Sequence, residues 1–342
     1  MKKDLQQPSF SPRITTLMYH RVNTSEIDPW GICVSIKQFE EQIQFLKNNY
    51  HVISSGDLIK QVLNHNIIEE SICITFDDGY ADNYTHAKPI LDKYNCPATF
   101  FISTVFIRSV TTFWWEELEI ILLHSIKIPG KLMLKIDGKN YLYTFDESKL
   151  TEKQLQQHSN WKWHEYPQTD RCKIFLKIWE QLKSLLIDAI EIIIGALKKW
   201  AGLVNIGNSR FTMKDNQVNE LSINPLFTIA MHTHTHPDLK EKEMTFQLNE
   251  MLSCKNTLEA KYSVNSNCLS YPFGQYDFNT IEAVNILGID ACFKTSPTDL
   301  YGYSDRRILG RYQVFNESNT TLKNRLKFSV QFQLNRVQNI NQ

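Results

Sequence analysis

The sequence lacks a surplus of charge of either sign. Its 342 residues include 37 basic and 37 acidic side chains, which leaves a formal net charge of +0. Proteins dedicated to nucleic acid normally carry a basic surplus or patch, so we expect no nucleic-acid partner. Hydrophobic residues make up 42% of the chain. That share is enough for a sizeable buried core and excludes global disorder.

Cysteine is scarce, and its spacing excludes the common cysteine motifs. The seven cysteines are widely separated, and no two of them form a CxxC pair. An odd number at such spacing does not suit a disulfide framework or a zinc knuckle, so we expect reduced, mostly buried thiols. The first residues are basic but contain no continuous apolar stretch of the kind found in secretory signals. Together these features predict a cytoplasmic protein.

No apolar run is long enough to predict a transmembrane segment. The most apolar stretch, residues 182–200, is interrupted by Asp188 and Glu191, whereas a membrane span needs roughly 18 or more apolar residues. The polar residues of this stretch recur at helical spacing and form a narrow stripe. The pattern predicts a well-buried helix. The alternative is a helix that rests on a membrane surface or a partner, which would be a peripheral contact.

Apolar strands alternate with helices in two separate parts of the chain. The segments that we predict as strands are 14–19, 71–76, 97–103, 226–232, 267–274, 291–296 and 306–314. Helices are predicted between several of them, for example over 87–95 and 246–263. Short strand–helix–strand connections require parallel pairing by crossover. Residues 112–211 lack this rhythm and predict a mostly helical insertion.

Two acidic residues directly follow the predicted strand 71–76. The segment TFDDGY, residues 75–80, places Asp77 beside Asp78. Neighbouring carboxylates repel each other unless a cation or hydrogen bonds compensate. Taken alone, the pair is also typical of a structural turn or a helix cap that has no catalytic or metal-binding role.

Three of the ten histidines lie in HTHTHP, residues 232–237. Strict alternation would put all three on one face of a strand, whereas turn or helical geometry would pair His232 with His236. One carboxylate and two imidazoles make a three-ligand site for a divalent metal, with positions left open for water and substrate. We therefore expect the two motifs to form one metal site. The second aspartate would then be free to act as a general base.

Together with YPFG, residues 271–274, these motifs resemble the first three motifs of the polysaccharide deacetylase family. These are carbohydrate esterases of family 4 type with a NodB-homology fold. The resemblance covers roughly 10–110 and 220–315. It implies an α/β protein with a distorted (β/α) barrel over 10–111 and 212–320, a mostly helical insertion over 112–211, and a C-terminal tail over 321–342. It also implies an enzyme that removes an acetyl group from an N-acetylated sugar and depends on a divalent metal.

The resemblance also implies a role for individual residues. Asp78, His232 and His236 would hold the metal, for which we expect zinc, with cobalt or nickel as alternatives. Asp77 would be the base that deprotonates the attacking water. The backbone N–H of Phe273 would stabilise the oxyanion, since a tight turn can aim an N–H at that position. His234 has no ligand role in the family pattern, and we expect it at the cleft edge or in local packing.

The sequence departs from the family pattern in two places. Ser270 stands where the third motif often has an arginine that orients the base. Arg311 either supplies that arginine from a neighbouring strand or is an ordinary surface residue. No histidine follows His236, although the family's catalytic acid usually lies near the C-terminal end. His20, directly after the first strand, is either the replacement acid or a structural histidine bonded at the strand end.

Several interpretations remain open at this level. Trp114 and Trp115 suit either a platform for sugar rings or core packing. The substrate would be an acetylated carbohydrate, which could be lipid-linked, and we expect a cytoplasmic precursor of a surface polysaccharide or lipopolysaccharide. A glycan-binding module that kept the fold but lost activity is the alternative. A non-haem iron oxygenase also uses two histidines and a carboxylate, but it leaves Asp77 without a role.

Overall fold

The computed structural model describes residues 12–107, 112–203 and 211–326, and a parallel sheet forms its centre. The strands are β1 (Ile14–Tyr19), β2 (Arg21–Val22), β3 (Cys33–Val34), β4 (His51–Ile53), β5 (Ser71–Phe76), β6 (Ala98–Ile102), β7 (Lys131–Ile136), β8 (Lys139–Thr144), β9 (Phe227–Met231), β10 (Cys268–Ser270), β11 (Ala291–Phe293) and β12 (Tyr312–Gln313). The main sheet has the order β11-β10-β9-β6-β5-β1-β12, and β4 also pairs with β5.

The sheet curls into the predicted distorted barrel. All of its strand pairs are parallel. Residues 309–313 connect the two ends of the sheet. The backbone of Leu309 hydrogen-bonds alongside β11, whereas Tyr312 and Gln313 pair with β1. The prediction of an α/β fold with parallel strands is confirmed.

Some helices pack on the outside of the barrel, and others form part of the insertion. Their bounds are α1 (Ile36–Asn49), α2 (Ser55–Leu63), α3 (Lys88–Lys93), α4 (Trp114–Glu119), α5 (Glu152–Asn160), α6 (Asp170–Leu182), α7 (Ile187–Ala201), α8 (Asp215–Ser222), α9 (Met244–Tyr262) and α10 (Phe278–Ile286). Among the described residues, no helix is both long and apolar enough to cross a membrane.

Strand β5 shows how the sequence positions the site. Every residue of SICITF is buried, as expected for a strand covered on both faces. Ile72 and Ile74 belong to the core beneath the helices, whereas Cys73 belongs to the core inside the barrel. Side chains alternate along a strand. Thr75 and Asp77 therefore continue the inward face of Cys73, and Asp77 enters the barrel where β5 ends.

The predicted insertion contains a hairpin that the sequence analysis missed. Strands β7 and β8 pair antiparallel around Asp137 and Gly138, whose φ angles are 46° and 76°. Asp-Gly at a two-residue turn is a strong hairpin signal, because both positions need a positive φ. The remaining elements are mainly helical and share an apolar core with the hairpin. An antiparallel bridge joins Thr112 to Phe211, so the two ends of this segment lie side by side.

The apolar stretch 182–200 does not form one helix. Helix α6 ends at Leu182, and α7 begins at Ile187. Ile190, Ile193, Ile194 and Leu197 of α7 are buried, whereas Ile192 is 74% exposed. The helix is therefore amphipathic and only half-buried.

The chain beyond the barrel begins in packed form. Residues 319–326 are helical, and Leu322 and Leu326 are buried in the barrel's outer core. The predicted tail thus starts as part of the fold, and its remainder, 327–342, lies outside the described residues. All seven cysteines lie in the described part, where each is buried and unpaired, as predicted.

Candidate active site and metal centre

The predicted site residues meet at the carboxyl end of the barrel. They follow four different strands, and most of them line one cleft of about 1080 Å³. Those that line the cleft are His20, Asp77, Asp78, His232, His236 and Phe273. Arg311 lies immediately before β12, and its side chain reaches Asp77. In parallel α/β barrels the carboxyl ends of strands share one face, which is why distant motifs converge.

Asp78, His232 and His236 form a compact set of possible metal ligands. Their ligand atoms all lie within 4.8 Å of one another, and all three residues are buried. The Nε2 atoms of His232 and His236 lie 3.2 Å and 3.3 Å from the same Oδ1 of Asp78. Within the described residues this is the cluster whose geometry suits a metal ion.

The backbone at the site adopts conformations that side chains seldom permit. Asp78, Thr233, His236 and Phe273 have φ angles of 75°, 63°, 58° and 56°. A positive φ costs a residue with a Cβ roughly 1–2 kcal/mol. Such strain persists only where the surrounding contacts enforce it, and it concentrates at functional sites.

The HTHTH segment is a loop rather than a continuation of β9. The turn separates the three histidines: His232 and His236 point to Asp78, whereas Nδ1 of His234 lies 2.8 Å from the hydroxyl of Thr104. Local packing of His234 agrees with the sequence expectation. The pairing of histidines four apart, not the strand-like alternation, describes this loop.

Glu250 holds this loop and was not recognised from the sequence. Its carboxylate accepts hydrogen bonds from the backbone N–H of His234 and Thr235 and from the hydroxyl of Thr235, at 2.8–3.0 Å. Glu250 lies on α9, and its side chain is buried. In the sequence, Glu250 is a single acidic residue in a predicted helix. Such residues normally lie on the solvent-exposed face, so nothing distinguished it.

Asp77 is held by a buried network. Arg311 donates to both carboxylate oxygens of Asp77 at 2.7 Å, in a bidentate ion pair. The hydroxyl of Ser270 donates to Asp77 at 3.0 Å and accepts from Arg311 at 2.7 Å. Arg311 is fully buried and also donates to the hydroxyl of Thr75. The interpretation of Arg311 as a surface residue is therefore wrong, and Ser270 joins Arg311 at the place where the family often has arginine.

The charges of the site shift the pKa values of its acids. Burial by itself would raise the pKa of the Asp77 carboxyl, but Arg311 and then His232 hold this pKa below its usual value. Burial would likewise raise the pKa of Asp78, yet the hydrogen bonds from His232 and His236 keep it well below the ordinary range. Both carboxylates are thus ionised and available as acceptors or ligands.

The two imidazoles differ in environment. Burial acts to lower the pKa of both, but at His232 the charge of Asp77 and the contact with Asp78 outweigh burial and leave the pKa raised. At His236 burial dominates over the contact with Asp78, and the pKa is lowered. The Nδ1 of His232 lies 2.8 Å from the carbonyl oxygen of Ser270. Because a carbonyl only accepts, this nitrogen carries the hydrogen and Nε2 faces Asp78.

Aromatic rings flank the second imidazole. The ring of His236 lies 4.7 Å from Trp115 and 4.8 Å from Phe273, measured between centroids. The indole N–H of Trp115 donates to the hydroxyl of Tyr80, which in turn donates to Glu116. Trp114 and Trp115 are each only 5% exposed. Core packing therefore describes the pair better than a sugar platform, although Trp115 also lines the cleft.

His20 and Phe273 both line the cleft that holds the cluster of Asp78, His232 and His236. The Nδ1 of His20 is buried, and no described residue hydrogen-bonds to it. For Nδ1, the structure therefore does not support the alternative that His20 is a structural histidine hydrogen-bonded at the strand end. Phe273 is held in a tight turn by Gly274, whose φ is 68°. A Cβ on Gly274 would lie 2.2 Å from the hydroxyl oxygen of Thr295, so only glycine fits.

The donor set fits a divalent cation. The Nδ1 hydrogen of His232 is held by the carbonyl of Ser270, so a cation would replace the hydrogen that joins Nε2 to Asp78 and would take both atoms as ligands. The Nε2 of His236 lies 3.3 Å from the same oxygen, while no described residue hydrogen-bonds to its Nδ1. Two imidazoles and one carboxylate are a set that zinc, cobalt and nickel accept. The open side of the set faces the cleft.

The insertion forms the opposite wall of the cleft, which was not foreseen. Lining residues from the insertion are Tyr141, Leu142, Tyr143, Trp163, Leu176, Lys177, Trp179, Glu180, Gln181 and Lys183. They come from β8, the loop between α5 and α6, helix α6 and the residue that follows α6. Because these elements meet only in the folded insertion, no short sequence motif predicts which of their residues line the cleft.

A distorted parallel barrel with a buried acid pair and two histidines at its carboxyl end defines a class of hydrolases. The model of the polysaccharide deacetylase family matches residues 65–127 and 198–292. These two segments contain Asp77, Asp78, His232, His236 and the YPFG turn. Over these two segments the chain is similar to the polysaccharide deacetylase family. His20, Arg311 and most of the insertion lie outside the matched segments.

A curated relative shows the same similarity. The chain is 30% identical over 130 residues to YxkH of Bacillus subtilis (strain 168), named as a polysaccharide deacetylase. The match spans 37% of this chain and 45% of that protein, less than half of its length.

Solved structures share the fold at low sequence identity. The deacetylase PplD of Streptococcus pyogenes, solved in complex with acetate, matches 92% of this chain and 98% of its own, with a TM-score of 0.54 and 18% identity. A de-N-acetylase of Aggregatibacter actinomycetemcomitans matches 91% and 99%, with a TM-score of 0.52 and 16% identity. At such identities the likeness shows the fold.

Proposed function

We propose that this protein is a metal-dependent deacetylase that hydrolyses the acetamide of an N-acetylated sugar. The observation that carries the proposal is the placement of Asp77. Its carboxylate is buried, is oriented by Arg311, and lies next to three converging metal ligands at the floor of one cleft. An orienting arginine on an acid that does not join the ligand cluster suits a general base.

Asp78, His232 and His236 would hold the cation, and we propose zinc, with cobalt or nickel as substitutes. When bound, such a cation polarises a carbonyl and lowers the pKa of water from 15.7 toward about 7. The ligand residues are positioned by fixed partners, Ser270 for His232 and the loop held by Glu250 for His236. Rigid placement keeps the open side of the site directed at the cleft.

Asp77 would accept the proton of the attacking water. Arg311 and Ser270 occupy both carboxylate oxygens at 2.7–3.0 Å, which fixes the rotation of the side chain. A positioned base of this kind contributes roughly 10²–10⁴ to the rate. No covalent acyl-enzyme is needed, so the mechanism requires no nucleophilic serine.

Phe273 and His20 would act on the oxygen and the nitrogen of the amide. The backbone N–H of Phe273, in the tight turn at the cleft, would donate to the oxygen that becomes negative. His20 would donate a proton to the departing nitrogen, because an amine leaves only when it is protonated. Its position beside Asp77 and Asp78 in the cleft supports that role.

The origin of the substrate follows from weaker observations. Seven buried, unpaired thiols suit a reducing compartment, which supports a cytoplasmic precursor of a surface polysaccharide or lipopolysaccharide. A lipid-linked sugar fits the same setting. In that case the half-exposed, amphipathic α7 offers a peripheral contact with the membrane surface. Cell fractionation followed by detection of the protein in membrane and soluble fractions tests this part.

Acetate release tests the reaction itself. The purified protein is stripped of metal, reloaded with zinc, cobalt or nickel, and supplied with N-acetylated oligosaccharides and lipid-linked sugars. Metal-dependent release of one acetate per free amine is expected. If stoichiometric metal binds but no acetate is released from any of these substrates, the protein is better described as a glycan-binding module.

A further inference from the structure

One face of the hairpin formed by β7 and β8 is left exposed. Side chains alternate along a strand, and one face of the hairpin is buried in the apolar core of the insertion, through residues such as Leu132 and Leu134. The other face, which we call the outer face, is exposed. Its members, paired across the two strands, are Lys131 with Thr144, Met133 with Leu142, and Lys135 with Asn140.

Two apolar side chains lie at the centre of the outer face. Met133 and Leu142 are direct partners across the strands, and they are 72% and 64% exposed. Directly opposed side chains have their Cβ atoms about 5 Å apart, so the two form one apolar patch. The hairpin is anchored to α7 beside this patch, because the indole N–H of Trp200 donates to the carbonyl oxygen of Lys131 at 2.8 Å. A fixed element therefore presents the patch to solvent.

Lysines flank the apolar patch. Lys131 and Lys135 stand two positions before and after Met133 on β7, and Lys139 begins β8. No described residue forms an ion pair with any of these three lysines. Asp137 is the only acidic residue in the sequence 131–144, so three lysines and one acid leave the hairpin with a net charge of +2. The hairpin is thus a basic element with an apolar centre.

The size of the outer face decides which kind of partner it suits. Strand spacings give it dimensions of roughly 15 Å by 10 Å, whereas a stable protein interface buries about 800 Å² on each partner. A lipid bilayer needs no matching shape, and its attraction grows with the apolar area buried and with the content of anionic lipid. Each lysine close to an anionic leaflet strengthens binding by about 5-fold. An apolar pair between lysines therefore suits an anionic bilayer better than a protein surface.

We propose that the outer face of the hairpin binds the surface of an anionic lipid bilayer, with Met133 and Leu142 at the acyl boundary and Lys131 and Lys135 among the headgroups. Leu142 also lines the cleft, so the same contact places the mouth of the cleft at the bilayer surface. The binding itself is independent of the proposed reaction. Its consequence rests on the proposed function, because a cleft held at the bilayer favours an acetylated sugar whose lipid portion stays in the membrane.

Vesicle flotation tests the contact without any substrate. The wild-type protein is titrated with vesicles of phosphatidylcholine alone and of phosphatidylcholine mixed with phosphatidylglycerol. Binding is expected for the anionic vesicles and should weaken at high salt, since salt screens exposed charges. Lys131→Glu/Lys135→Glu is expected to lower the affinity at least about 25-fold, at about 5-fold for each lysine. Met133→Ser should lower it about 3- to 10-fold, because less apolar area is buried.

Two variants outside the insertion are the matched controls. Lys60→Glu/Lys323→Glu makes the same change in net charge at two exposed lysines. Ile223→Ser removes an apolar side chain that is 73% exposed. Both controls should bind the anionic vesicles as the wild type does. Thermal unfolding midpoints equal to that of the wild type would show that the hairpin variants are folded.

Three results would overturn the assignment. One is equal vesicle binding by Lys131→Glu/Lys135→Glu and its charge-matched control. Another is binding that survives in the hairpin variants and is lost in Ile192→Ser, which would transfer the contact to α7. The third is self-association of the wild type that the hairpin variants abolish, which would assign the outer face to a second copy of this chain. None of these measurements uses acetate release, so failure of the contact and failure of the proposed reaction are separate results.

Discussion

The carboxyl end of the barrel and the wall of the insertion face each other across one cleft, yet they are built differently. On the barrel side, charged and polar groups are locked by specific partners, such as Arg311 on Asp77 and Glu250 on the histidine loop. On the insertion side, aromatic side chains such as Trp163 and Trp179 line the cleft, and their contacts are mainly with other rings. The barrel is thus suited to chemistry, which needs fixed distances, and the wall to recognition, which needs surface.

Removal of a ligand should break the barrel side completely. Asp78→Ala is expected to abolish stoichiometric zinc binding and to lower kcat/KM by at least about 10⁴-fold, because a catalytic metal contributes several kcal/mol and each 1.36 kcal/mol is tenfold. Metal content by atomic absorption and acetate release are the measurements. Zinc binding at wild-type stoichiometry in this variant would contradict the assignment of the ligands.

A change of the base should separate metal binding from catalysis. Asp77→Asn is expected to retain zinc but to lose about 10³-fold in kcat, since the amide cannot accept the proton. Metal content and acetate release are measured on the same sample, with circular dichroism to check the fold. Full activity in this variant would rule out Asp77 as the base.

A change of the proposed acid should depend on the leaving group. His20→Gln is expected to lower deacetylation of an N-acetyl sugar about 10²-fold. An aryl acetate, whose leaving group departs without protonation, should lose much less. The comparison of the two substrates in one variant is the measurement, and an equal loss on both would exclude His20 as the acid.

Disturbance of the loop should have a smaller effect. In Glu250→Gln the side chain can still accept through its oxygen, but the charge that attracts the N–H groups of the loop is lost. Zinc affinity is expected to fall about 10-fold, as for other changes just outside a ligand set. Competition with a chelator measures it. Glu259→Gln, on the same helix but paired with Lys255, is the control and should bind zinc as the wild type does.

The insertion core should affect stability and not the metal site. Leu197→Ala removes a fully buried side chain from the apolar core of the insertion, and the free energy of unfolding should fall by about 2–5 kcal/mol. The zinc dissociation constant should stay within about 2-fold, because the three ligands follow barrel strands. Urea unfolding and chelator competition measure the two effects, and a large loss of zinc affinity would show that the insertion holds the metal site in place.

Much of the barrel and the chemistry could be read from the sequence. Strand β5 and its DDG turn have the predicted bounds, because a strand buried on both faces leaves an uninterrupted apolar signal. The cluster of Asp78, His232 and His236 was predictable because metal ligation is restricted to a few residue types. The hairpin of β7 and β8 was missed although Asp137 and Gly138 are a turn signal, since β8 alternates weakly and Met133 and Leu142 face solvent.

The sequence by itself determined the parallel order of strands and helices, the motifs that supply Asp78, His232 and His236, and the lack of cysteine pairing in the described part of the chain. These depend on local periodicity and on short motifs within a few residues of a strand end. Only the tertiary structure decided that Arg311 is buried against Asp77, that Glu250 holds the histidine loop, and that tryptophans from the insertion line the cleft. Each of these contacts joins residues far apart in the chain, and long-range packing determines which side chains meet.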